Sequence, residues 1–150
     1  MGKMTEILQT AQQRAKKMNL PYEGALLPDE AYEIMRNAPS AVLVDVRTRA
    51  EQYWVGTIPN AVQIEWVTYP EMRANPHFVA QLEQQVDKES LLIFICRSGA
   101  RSHNAAVAAT QAGYPDCYNV LEGFEGDKDP DKHRNTTGGW RAAGLPWEQS

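Results

Sequence analysis

Residues 91–102 read Leu91-Leu92-Ile93-Phe94-Ile95-Cys96-Arg97-Ser98-Gly99-Ala100-Arg101-Ser102. Five consecutive apolar residues, three of them β-branched or aromatic, have the look of a strand buried on both faces of a parallel sheet. The run ends on Cys96 and gives way to a short polar loop. From Ser102 to Ala112 the composition turns alanine-rich, which predicts a helix closed by Gly113. Strand, loop and helix in that order place Cys96 at the carboxyl end of a strand, where open α/β sheets bind their ligands.

A short loop curling into a helix N-terminus turns backbone N–H groups inward, and with the helix dipole these make an anion site. Gly99 supplies the freedom for a tight curl. A thiol in the middle of that ring is stabilised as thiolate, the nucleophilic form. Arg97 and Arg101 act in the same direction. A cation at a helix N-terminus opposes the dipole, so two arginines there call for an anionic ligand or a thiolate as the reason. Ser98 and Ser102 offer hydroxyl groups, and Ser102 is expected to cap the helix. Cys117 has no cationic neighbour in sequence and precedes a strand, so it reads as a packing residue.

Outward from this loop, Ala41-Val42-Leu43-Val44-Asp45-Val46 is a second buried strand, and Gly24–Leu27, Ala61–Ile64 and Tyr118–Leu121 are shorter ones. Helices are expected from Thr5 to Met18, from Pro28 to about Asn37, and after Asn75-Pro76 through Phe78, Val79, Leu82 and Val86. Strands alternating with helices argue for an α/β domain with a parallel sheet. The 150 residues suit one domain, assigned to 23–150 behind an N-terminal helical extension, 1–22. The tail from Glu122 onward reads as loop, charged across Asp127–Arg134, with a turn of helix near Trp140.

Composition narrows the function. With 43% hydrophobic and 23% charged residues the chain is an ordinary globular protein. A net charge of -4 offers no general attraction for nucleic acid or for an anionic membrane, so an anion must be held by a local positive site. Two cysteines form neither a disulfide framework nor a zinc-ligand spacing, and no metal or cofactor is called for. Residues 1–18 lack the apolar core of a signal peptide, and no apolar run reaches membrane-spanning length. A reducing cytoplasm is the expected location.

Four segments in order carry a resemblance to the rhodanese (sulfurtransferase) family: Asp45-Val46-Arg47; Glu51 and Tyr53 with Gly56-Thr57-Ile58-Pro59-Asn60-Ala61; the loop Cys96–Ser102; and Asn119-Val120-Leu121-Glu122-Gly123. Thr57 stands where the family usually has histidine, and Asn60 where it has glycine. The resemblance implies a five-stranded, mostly parallel sheet flanked by helices, with Cys96 as the catalytic residue. It implies a ping-pong transfer in which an anionic donor such as thiosulfate leaves a persulfide on Cys96. Cyanide, a thiol or a partner protein then takes the sulfur. Arg97, Ser98, Gly99, Ala100, Arg101 and Ser102 would bind the substrate. Asp45 and Arg47 would support the loop, and Arg47 is expected to pair with Glu51. His103 reads as a surface helix residue.

Two alternatives belong to other classes. One is a persulfide relay or regulatory binding module with little thiosulfate turnover. The other is a cysteine phosphatase or arsenate reductase of similar fold, whose loop has five residues between cysteine and arginine. Here Arg97, Ser98, Gly99 and Ala100 make four between Cys96 and Arg101, a narrower ring that suits a sulfur atom better than a tetrahedral oxyanion.

Overall fold

The structure, a computed structural model, describes residues 2–149. Five strands form one sheet: β1 (Gly24–Leu26), β2 (Ala41–Asp45), β3 (Val62–Gln63), β6 (Leu91–Ile95) and β7 (Cys117–Val120). Their order is β1-β7-β6-β2-β3 and all four pairings are parallel. Two short strands, β4 (Val67–Thr68) and β5 (Arg73–Ala74), pair as an antiparallel hairpin outside it.

The helices are α1 (Gly2–Met18), α2 (Pro28–Asn37), α3 (Arg49–Trp54), α4 (Phe78–Gln85) and α5 (Ala100–Gln111). Strand side chains alternate between the two faces, so each face has its own core. Leu92 and Phe94 of β6 join Val44, Phe78, Leu82, Ala105 and Ala109 on the α4/α5 side. Leu91, Ile93 and Ile95 join Leu43, Ala11, Ala31 and Ile34 on the α1/α2 side. A strand buried on both faces needs no polar alternation, which is why 91–95 is apolar throughout.

Helix α1 lies against β1, with Ala11 and Ala15 buried. Arg14 anchors it, donating to the Ala25 carbonyl at 2.9 Å and to both Glu30 carboxylate oxygens at 2.6 and 2.9 Å. Helix α3 escaped the sequence reading, although Thr48-x-x-Glu51 is a capping box. The Glu51 N–H donates to Thr48 Oγ1, and the Thr48 N–H donates to Glu51 Oε1, both at 3.1 Å.

The tail folds back as a belt. Phe124 and Trp140 are fully buried on the α1/α2 side. Glu148 exchanges both backbone hydrogen bonds with Thr57, at 2.7 and 2.8 Å. The Arg141 guanidinium stacks 4.1 Å from the Trp147 ring and donates to the Val55 carbonyl at the end of α3.

Candidate active site

Cys96 follows β6 directly, and α5 begins four residues later with Gly99 as its N-cap. Gly99 has φ of 113°, a conformation disfavoured for any residue with a Cβ. The curl brings the Gly99 N–H to 3.1 Å from Cys96 Sγ, and Ser102 Oγ lies 3.2 Å from the same sulfur. Ser102 is fully buried in the first turn of α5; the expected cap role falls to Gly99, because the helix starts two residues earlier than its composition suggested. Cys96 is itself 1% exposed.

The loop keeps this shape because its carbonyls are bound from outside. Phe124 N–H donates to the Cys96 carbonyl at 2.8 Å and Glu125 N–H to the Arg97 carbonyl at 2.9 Å. The Gly99 carbonyl accepts from Asn119 Nδ2 at 3.2 Å and from the His103 N–H at 3.1 Å. With carbonyls drawn outward, the loop presents the Gly99 N–H to the sulfur. Gly123 makes this strap possible. A Cβ there would sit 2.6 Å from the Cys96 and Arg97 carbonyl oxygens, and its φ of 65° is left-handed. His103 is half-buried, not on the free surface: its Nδ1 lies 2.7 Å from the Tyr22 hydroxyl.

The two arginines of the loop separate. Arg97 is exposed and makes no ion pair among the described residues. Arg101 forms a bidentate pair with Glu51, Nη1 to Oε1 at 2.7 Å and Nη2 to Oε2 at 2.9 Å. The two side chains are each 18% exposed. Burial alone would raise the Glu51 carboxyl, but the Arg101 guanidinium and the Thr48 hydrogen bonds outweigh it and bring it down to about 2. Glu51 is the site residue that sequence reading missed, since its partner lies 50 positions away.

The expected Arg47–Glu51 pair does not form. Arg47 precedes α3 and turns back onto Asp45, with Nη2 to Oδ2 at 2.7 Å and Nε to Oδ1 at 3.0 Å. Both side chains are fully buried. Arg47 also donates to the Gly56 carbonyl at 2.7 Å and lies 4.2 Å from the Phe124 ring centre. This pair ties the end of β2 to the end of α3 and to the belt. Among the described residues no cluster of His, Cys, Asp and Glu could hold a metal ion.

Residues 27–129 match the rhodanese-like domain family. The chain belongs to that family. Relatives and a solved structure match most of its length. The crystal structure of Rv0390 from M. tuberculosis superposes with a TM-score of 0.80 at 44% identity, covering 86% of this chain and 99% of that one. An uncharacterized protein of Rickettsia conorii is 36% identical over 121 residues, 79% of this chain and 92% of that protein. Thiosulfate sulfurtransferase GlpE of Pseudomonas savastanoi pv. phaseolicola is 30% identical over 99 residues, 66% of this chain and 82% of the enzyme. The five-stranded sheet expected from the resemblance is therefore present, and wholly parallel where "mostly parallel" was anticipated. Among the described residues of this rhodanese-like domain, no helix is long and apolar enough to cross a membrane.

Proposed function

We propose that the protein is a sulfurtransferase that carries sulfane sulfur as a persulfide on Cys96. One observation supports this above the rest: the Cys96 sulfur faces the Gly99 N–H and the Ser102 hydroxyl at the start of a twelve-residue helix. A thiolate there is held by hydrogen bonds and by the positive end of α5.

With an anionic donor such as thiosulfate, the Cys96 thiolate attacks the outer sulfur. The S–S bond of the donor breaks, sulfite leaves with the electron pair, and a new S–S bond gives the Cys96 persulfide. Arg97 and the Gly99 N–H oppose the build-up of negative charge. An acceptor nucleophile (cyanide, a thiol or a partner protein) then attacks the outer sulfur, and the Cys96 thiolate leaves. No metal or redox cofactor enters either step. A free thiol of this kind suits a reducing compartment such as the cytoplasm.

The four-residue spacing from Cys96 to Arg101, together with the engagement of Arg101 by Glu51, favours sulfur over phosphoryl chemistry. Initial rates of thiocyanate formation from thiosulfate and cyanide test the reading. Parallel double-reciprocal lines are expected from a covalent carrier. Intersecting lines, or turnover retained in Cys96→Ser, would refute it.

A further inference from the structure

On paper the loop carries two positive charges; in the structure one of them is cancelled. Arg101 is met at both nitrogens by Glu51, and the Arg47 guanidinium below is likewise met by Asp45. Glu51 does not swing freely, because its Oε1 also accepts from the Thr48 N–H at 3.1 Å and from the Thr48 hydroxyl at 3.0 Å. The carboxylate is thus fixed by the cap of α3 before it meets the arginine. Glu51 is the strongest partner of Arg101. That leaves Arg97 as the free cation of the loop.

We infer that Glu51 sets the donor preference of the site: by holding Arg101 in a neutral pair, it favours a singly charged thiol persulfide over dianionic thiosulfate. The inference rests on Cys96 being the sulfur carrier and specifies the donor class of that same site. Attack of a thiolate on thiosulfate gathers three negative charges in one pocket, whereas attack on an ionised persulfide of net charge minus one gathers two. With a single free arginine, the extra charge goes uncompensated. The transfer from a persulfide is balanced without an oxidant. Cys96–S⁻ attacks the terminal sulfur of R–S–S⁻, the donor's S–S bond breaks, R–S⁻ leaves with the electron pair, and the persulfide now sits on Cys96. A reaction that builds persulfides on small thiols or on protein cysteines would supply this substrate.

The test compares kcat/KM for thiosulfate and for cysteine persulfide in the wild type, in Glu51→Gln, and in the double variant Glu51→Gln/Arg101→Gln. Glutamine keeps an acceptor for the Thr48 cap and removes the charge, together with one of the two acceptors that Arg101 meets. Glu51→Gln should raise the thiosulfate-to-persulfide ratio about tenfold, mainly through KM, as an unmasked guanidinium attracts the dianion. The double variant has the net charge of the wild type and should return the ratio to within about twofold of it. An unchanged ratio in Glu51→Gln, or a parallel loss with both donors, would overturn the inference while leaving the Cys96 mechanism standing. Wild-type protein that takes sulfur from neither donor would instead overturn the mechanism itself. Should Glu51→Gln fail to fold, ionic strength decides on the wild type. A masked arginine predicts that kcat/KM for thiosulfate falls less than about twofold between 50 and 300 mM salt, and a fall beyond about fivefold contradicts it.

Discussion

Cys96 directly after β6 and Cys117 at the start of the adjacent β7 belong to one hydrophobic cluster, and both are buried. Their surroundings are nonetheless opposite. Cys96 follows the carboxyl end of β6 and faces the N-terminus of α5, with an N–H at 3.1 Å. Cys117 opens β7, after α5 has ended, and its thiol donates to the Tyr114 carbonyl at 3.6 Å. One sulfur meets donors and the positive end of a helix dipole; the other meets an acceptor in an apolar surround. Burial pushes the Cys117 thiol up to about 11, with Asp116 adding to the effect. Burial alone therefore says nothing about reactivity. In a parallel sheet the end of the strand decides which pole of the neighbouring helix a side chain meets.

The largest expected effect is at the reactive end. Cys96→Ser removes the nucleophile and should lower sulfur transfer by at least about a thousandfold, with the melting temperature changed by only a few degrees. Residual turnover near wild type would break the contrast between the two sulfurs. Gly123→Ala tests the strap. The new methyl cannot fit 2.6 Å from the Cys96 and Arg97 carbonyls, and the residue must hold a positive φ. A loss of about 10- to 100-fold in activity and of about 2 kcal/mol in stability by urea unfolding is expected. Wild-type activity in that variant would mean that the belt does not shape the loop.

Smaller effects follow further from the sulfur. Ser102→Ala deletes one of the donors at 3.2 Å and should lower kcat/KM about 3- to 10-fold, read by initial rates with thiosulfate. Cys117→Ala should leave activity within about twofold and cost about 1–2 kcal/mol of stability. In the wild type, iodoacetamide at pH 7 should label Cys96 and spare Cys117, as peptide mapping would show. The linkage has a definite sign. The folded Cys117 thiol titrates above its unfolded value, so its stabilising contribution is full below pH 9 and declines as pH rises toward 11. Modification of Cys117 first would reverse the comparison.

How much of this was legible in the sequence depended on how local the signal was. The run from Leu91 to Ile95 and the loop after it were legible because burial on both faces and the turn into a helix leave local marks. Helix α3 was not, being six residues long with Tyr53 and Trp54 largely exposed, although the Thr48/Glu51 capping box was there to be read. The partners of the charges were the hardest part. Arg47 chose Asp45, two residues back at the end of the same strand, over Glu51 four residues ahead. Glu51 went to Arg101 across the site, a contact that no spacing announces. The belt was missed for a related reason. Its charged stretch from Asp127 to Arg134 reads as a solvated loop, and the burial of Trp140 depends on the rest of the fold already being in place.

The central claim, that Cys96 carries the sulfur, is tested most directly by intact-protein mass. Reduced protein is incubated with excess thiosulfate or, in a parallel sample, cysteine persulfide, then gel-filtered, weighed, digested to locate the added mass, and treated with cyanide. The account predicts a gain of about 32 Da on the peptide holding Cys96, lost on cyanide treatment with release of thiocyanate. No added sulfur from either donor, or sulfur found on Cys117, would contradict it.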